Sequence, residues 1–361
     1  MLLILNALVV ITVIVFIIVA LFRAFLCQKH HRNSGLSEHN WYLQLSLSRK
    51  DAMSQWFLVL GSLALANMAY AVNNNLGGPL SWRTILLIAV LILAAMAYFG
   101  RSFYCAAIGI VGFLVWWVAQ TTFWQIEITS HVVLTALVGL MWLAILLYAL
   151  GFWQMQKTAW KRFGAAYVVI GLLLANFLLF AFSTQSGLQS LEEIIASGRV
   201  FDVWQNTIAL FLVGGWAMLT LLYCWSKKIV LIEEASFVLG LFLLFGLLIV
   251  LPEQSLIIGK WPGQLTGAGL FWAAVFNFTL LFEILGVIFA GYRRREVWMI
   301  NFGAVLLIIF VAEKYFDWFF KFMDKSVFFI IAGIMLFVIG WAMERGWRYL
   351  AQSITSNQQN Q

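Results

Sequence analysis

Eleven mostly apolar runs, separated by polar turns, recur along the whole chain, at about 1–27, 55–73, 84–100, 102–120, 131–153, 164–183, 207–226, 236–252, 267–291, 297–313 and 326–344. A helix of roughly 20 apolar residues crosses the hydrocarbon core of a bilayer. Backbone polar groups find no water there, so a spanning segment must satisfy them within itself as a helix. Only 10% of the 361 residues are charged and 63% are hydrophobic, whereas soluble domains carry roughly 25% charge. A core of this length cannot bury so much apolar surface. Three prolines occur, none in the middle of a long run, so strongly broken helices are not indicated. The pattern predicts an all-α polytopic bundle of about 11 spans, a single membrane domain over 1–361 with no soluble domain. The runs 84–100 and 102–120 are divided only by Gly100 and Arg101; that pair makes a tight helical hairpin, or the count drops.

The first run reads as a retained helix rather than a signal peptide. No basic residue precedes it, Arg23 comes near its end, and Phe25-Leu26-Cys27 lacks the small residues of a processing site. Basic residues orient the bundle. With the N-terminus outside, fifteen of the 22 Lys and Arg fall in inner segments, among them Arg49, Lys50, Lys161, Arg162, Lys227, Lys228 and Arg293 to Arg295. Six fall outside: Arg83, Arg199, Lys260, Lys314, Lys321 and Lys325. This bias predicts N-out and C-in, in a cell membrane of the bacterial inner-membrane type. It also accounts for the net charge of +7 without a nucleic-acid partner. The expected partners are membrane lipid and either another membrane protein or a second copy of the chain.

Cys27, Cys105 and Cys224 fall at predicted inner ends, so no disulfide framework is expected. His30, His31 and His39 sit in a basic inner segment, 28–54, without a cysteine or carboxylate cluster. No metal is expected, nor any cofactor: nucleotide-binding and metalloprotease motifs are absent from the sequence. The other large polar segment, 184–206, carries Glu192, Glu193 and Asp202 amid Leu191, Ile194 and Ile195, a pattern suited to a short surface helix.

Glu283 is the most informative residue. It stands deep in Leu280-Leu281-Phe282-Glu283-Ile284-Leu285-Gly286, where no other acidic residue lies so far inside an apolar run. A central charge costs about 2.5–3.5 kcal/mol on insertion scales. Thr279, four residues earlier, shares its helix face and is placed to bond the carboxyl, while Asn277 points well away. Asn67 and Asn176, each within another apolar run, are candidate partners. Gly286 is a candidate for close helix approach, as are Gly214-Gly215, Gly240 with Gly246, and Gly333 with Gly340. Glu283 either carries protons, coordinates a cation or acts as an acid, or else it makes an interhelical hydrogen bond as a neutral carboxylic acid.

A second departure from the apolar pattern is the segment from Glu313 to Lys325. Lys314, Asp317, Lys321 and Asp324 recur at spacings of three and four, with Tyr315, Trp318 and Phe319 on the remaining surface. That describes a helix lying flat at the outer interface, either a hinge between two spans or an aromatic lip over a cavity that admits amphiphiles.

The C-terminal third, from Arg293-Arg294-Arg295 and Met299-Ile300-Asn301-Phe302-Gly303 through Tyr315-Phe316-Asp317 to Phe328-Phe329, Gly333 and Glu344-Arg345, resembles a family of bacterial polytopic membrane proteins, the domain-of-unknown-function family two-one-five-seven. The resemblance implies a bacterial membrane protein and no particular substrate. Three functions fit the pattern. A transporter or flippase-like protein for a small molecule or lipid-linked group rests on Glu283 and the aromatic lip. A non-catalytic scaffold or assembly subunit needs only glycine faces and aromatic surfaces. An intramembrane transferase ranks third, because such enzymes converge several acids, or a histidine and a nucleophile, on one cavity.

Overall fold

A computed structural model describes residues 52–100, 102–125, 134–156, 160–196, 203–250, 255–258 and 264–319, with positions 333, 334 and 337. These residues form ten helices and one small ladder: α1 (Ala52–Asn75), α2 (Trp82–Gly100), α3 (Phe103–Gln125), α4 (Leu134–Met155), α5 (Lys161–Ser183), α6 (Gln185–Ala196), α7 (Trp204–Ser226), α8 (Ile232–Leu248), β1 (Ile257–Ile258), β2 (Gln264–Leu265), α9 (Gly267–Arg294) and α10 (Val297–Phe319). Nine helices coincide with apolar runs, and α6 occupies the polar segment 184–206. Six of them, α3, α4, α5, α7, α9 and α10, are long and apolar enough to cross a membrane, and α2 is a shorter apolar helix. The run 1–27 lies outside the described residues, as does most of 326–344.

The chain divides into two compact units. The first comprises residues up to Leu174 with Ser197–Leu231 and Phe242–Val250; the second comprises Ala175–Ala196, Ile232–Leu241 and the chain from Leu251 onward.

In the first unit, α2 and α3 form a hairpin across the Gly100–Arg101 break. Gly109 lies against Leu93 and Gly112 against Val90, and each pair is equidistant in sequence from Arg101. The preceding turn is stapled by Asn73, whose amide donates to the Leu80 carbonyl (3.0 Å) and whose Oδ1 accepts from the Leu80 N–H (2.8 Å). Gly77 and Gly78 supply the left-handed backbone that this turn needs, at φ of 89° and 71°. Helix α4 is buried along most of its length, from Leu134 to Phe152. Small residues let it sit so deep: Gly214 of α7 lies beneath the Trp142 ring. The same indole stacks on Phe242 of α8 at 4.5 Å and donates to its carbonyl at 3.2 Å. Gly151 of α4 and Gly164 of α5 meet backbone to backbone. Cys105 and Cys224 are buried free thiols. Of the other glycines expected at helix contacts, Gly215 and Gly240 have no neighbour among the described residues within 4 Å of where a Cβ would stand.

The second unit is organised by a hairpin of α9 and α10. Gly291 abuts Ile300, and Gly303 abuts Ile288. Arg295 takes the left-handed conformation that closes α9 (φ 56°), and the Glu296 N–H bonds the Gly291 carbonyl at 2.9 Å. Here the structure pairs the basic turn with the acidic start of α8. Arg293 Nη1 donates to Glu233 at 2.7 Å, and Arg294 grips Glu234 with both Nε (3.0 Å) and Nη2. Both acids lie in a helix first turn and both arginines in a last turn, so each pair also suits the helix dipoles.

The two pairs differ in exposure: the side chains of Arg294 and Glu234 are 17% and 10% exposed, those of Arg293 and Glu233 54% and 64%. Breaking the shielded, forked pair leaves a charge in a poorly hydrated place, at about 3 kcal/mol. Arg294→Ala should therefore lower the thermal midpoint clearly, and Arg293→Ala much less, in unfolding followed by circular dichroism. The carboxyl of Glu233 is held below its ordinary range by its own main-chain N–H and then by Arg293. A lowered carboxyl stabilises the fold above its ordinary range, and that contribution is lost as pH falls through the lowered value. The small effect of Arg293→Ala should therefore shrink in acid.

Candidate functional site

The second unit carries its polar groups in two layers on facing sides of α5 and α9. The entry to α9 fixes that helix first. Thr266 caps it, its hydroxyl oxygen accepting the Gly269 N–H at 2.9 Å and donating to the Ser255 carbonyl at 2.8 Å. Gly269 passes so close to the Leu256 carbonyl that any Cβ would collide. Glu192 of α6 then pins the strand before it: one carboxylate oxygen accepts from the N–H groups of Leu256 (2.9 Å) and Ile257 (3.1 Å). Leu188 and Leu191 hold α6 in place by burial.

Helix α9 is apolar on both sides, but its two sides differ in what they meet. Leu270, Phe271, Phe278, Phe282 and Phe289 are exposed, as on a helix facing hydrocarbon. Gly269, Trp272, Phe276, Leu280, Glu283, Ile284, Val287 and Ala290 are buried. Glu283 thus faces protein, at 4% exposure, while its neighbour Phe282 is 58% exposed.

The inner layer is a carboxyl–amide pair. Asn176, 2% exposed, donates its Nδ2 to Glu283 Oε1 at 3.1 Å. Glu283 Oε2 is buried and has no hydrogen-bond partner among the described residues. Thr279 is half-buried and gives the carboxyl no bond. Although it shares a broad face with Glu283, the carboxyl extends toward α5. Gly286 is exposed and makes no close helix contact among the described residues. Asn67 belongs to the first unit and is exposed on α1.

The other layer gathers on the last carbonyl of α5. Ser183 C=O accepts from Lys314 Nζ (2.8 Å) and from Asn277 Nδ2 (3.2 Å). Lys314 also donates to Ser183 Oγ (3.1 Å) and pairs with Glu313 (3.1 Å). The ammonium sits where the helix dipole is negative and the terminal carbonyls lack partners. Reasoning from sequence missed this layer, and Asn277, noted for pointing away from Glu283, belongs to it. The available signal was a lysine and a serine at the ends of two apolar runs.

Beyond Lys314 the backbone of α10 continues as helix through Tyr315, Asp317, Trp318 and Phe319 without interruption. Lys321 lies outside the described residues. Among the described residues no group of three or more His, Cys, Asp or Glu is placed to hold a metal.

Apart from one small ladder the described residues are helical, their long apolar helices fit an integral membrane protein, and among them one carboxyl–amide pair is buried between helices. No family model, curated protein or solved structure matches the chain.

Proposed function

We propose that this is a multi-pass inner-membrane protein of about 11 spans, N-out and C-in, that moves a small molecule or lipid-linked group, with Glu283 as its proton- or cation-carrying residue. The supporting observation is the half-satisfied carboxyl: one oxygen is bonded by Asn176, and the other is buried with no partner among the described residues. A carboxyl kept solely as packing glue gains by satisfying both oxygens, since an unmade buried bond costs about 1–3 kcal/mol. A group that takes up and releases a proton or cation needs an oxygen lone pair not already engaged by a donor. Among the described residues one carboxyl and one amide meet here, fewer than the several groups a transferase brings together.

The Asn176–Glu283 bond itself favours a second reading, a scaffold in which this pair joins two helices. Infrared difference spectra in lipid nanodiscs separate the two. With wild type measured against Glu283→Gln from acid to alkaline pH, the carboxyl band should come and go with pH. A band that never changes would remove transport and leave the scaffold.

In this orientation the segment after Lys314 is an outer aromatic lip, with Tyr315, Asp317, Trp318, Phe319 and Lys321 bordering the entrance. Trp318→Ala with Phe319→Ala should then weaken amphiphile binding several-fold at unchanged melting temperature, the aromatic rings each contributing about 1 kcal/mol to contacts. A fall in stability with binding intact would make the segment a hinge.

A further inference from the structure

Side-chain contacts between α5 and α9 recur in antiparallel register. Asn176 meets Glu283, Ser183 meets Asn277, and the rings of Phe182 and Phe276 lie 5.4 Å apart. Continuing that register sets Leu179 opposite Leu280, between the two polar layers, and both leucines are fully buried. Toward Lys314, Glu283 is therefore about 9 Å from the Asn277 layer, the rise of six helical residues. Toward Arg293 the helix runs about 15 Å through Ile284, Val287, Ala290 and Gly291, all buried. There α10 packs with Gly303 on Ile288, and the first charged groups among the described residues are the Arg293 and Arg294 pairs with Glu233 and Glu234.

We infer that water and protons reach Glu283 from the Ser183–Asn277–Lys314 layer, across a single apolar septum formed by Leu179 and Leu280, while the Arg293 end stays sealed. This deepens the proton-carrying reading of Glu283 and rests on it. The polar layer supplies hydrogen-bond partners for water at one side of the septum, and the open Oε2 of Glu283 supplies one at the other. Lys314 blocks no proton by charge alone, because the Glu313 carboxylate balances it.

The test is hydrogen–deuterium exchange at the Glu283 carboxyl, read from the shift of its infrared band after mixing with D2O. It is recorded at a pH acid enough to protonate the group, with the band assigned by its loss in Glu283→Gln. Leu280→Ser and, from the opposite helix, Leu179→Ser should each speed exchange by about tenfold or more, since each hydroxyl gives water a partner inside the barrier. Val287→Ser, one turn to the other side, should leave the rate within about twofold. The inference is overturned if Val287→Ser is the variant that speeds exchange, or if neither leucine variant does while both remain folded by circular dichroism. A wild-type band that does not exchange over days would instead sink the proton-carrying function. The septum would still stand or fall on whether the leucine variants open it.

Discussion

Gly164→Leu should abolish assembly of the first unit, and Gly164→Ala should already cost about 2 kcal/mol. A Cβ at Gly164 would stand 2.5 Å from the Gly151 carbonyl oxygen and 2.8 Å from the Met155 N, and one at Gly151 would meet the Gly164 carbonyl at 2.7 Å. These are backbone atoms, which cannot swing aside as a side-chain tip can, so α4 and α5 must separate. Separation is costly because α4 is buried nearly all round, from Leu134 to Phe152. Where helices associate without hydrophobic drive, close backbone approach through small residues supplies the attraction. Gly215 is the control: a Cβ there meets nothing among the described residues within 4 Å, so Gly215→Ala should stabilise α7 by up to about 1 kcal/mol through helix propensity. Thermal unfolding in detergent, followed by circular dichroism, reads all three variants. Equal tolerance of Gly164→Ala and Gly215→Ala would mean that the α4–α5 contact carries no weight.

The contrast between these glycines also marks what could be read from the chain. The apolar runs placed nine helices, because a hydrophobic stretch of spanning length has few other solutions. The mixed pattern of the polar segment, Glu192 amid Leu191 and Ile194, placed α6 as well. Which glycine makes a contact was not legible. Gly214 and Gly215 are adjacent in sequence, yet one lies under Trp142 and the other is exposed. Hydropathy in an all-round apolar helix carries no record of which side meets protein.

The candidate site divides in the same way. Glu283 stood out because a carboxyl in an apolar run is expensive, and Asn176 was one of two asparagines named as its partner. Thr279, chosen by spacing along one helix, is not bonded to it, since the carboxyl reaches across to α5. Lys314 and Glu192 were read as surface charges. Their bonds to the Ser183 carbonyl and to the Leu256 and Ile257 N–H groups join segments far apart in sequence, and no local spacing encodes them.

Asn176→Leu should destabilise the protein by about 2 kcal/mol, and adding Glu283→Leu should recover most of that loss. Removing the amide leaves both Glu283 oxygens buried without the bond to Oε1. A buried polar group stripped of its partner costs about 1–3 kcal/mol, whereas replacing both partners by apolar groups of similar size is nearly neutral. Interhelical bonds in membrane proteins average nearer 0.6 kcal/mol, because the unfolded reference also finds partners. This pair should exceed that average, with Asn176 at 2% and Glu283 at 4% exposure and no second bond to Oε2 among the described residues. Glu283→Gln completes the set: it keeps an oxygen for Asn176 to donate to, so its stability should stay near wild type while the titrating carboxyl is gone. A cycle of Asn176→Leu and Glu283→Leu, melted in nanodiscs, measures the coupling. Strong coupling with Glu283→Gln active would make the pair a structural bond between α5 and α9. Strong coupling with Glu283→Gln stable and inactive would show that the bond positions a carboxyl whose proton is the function.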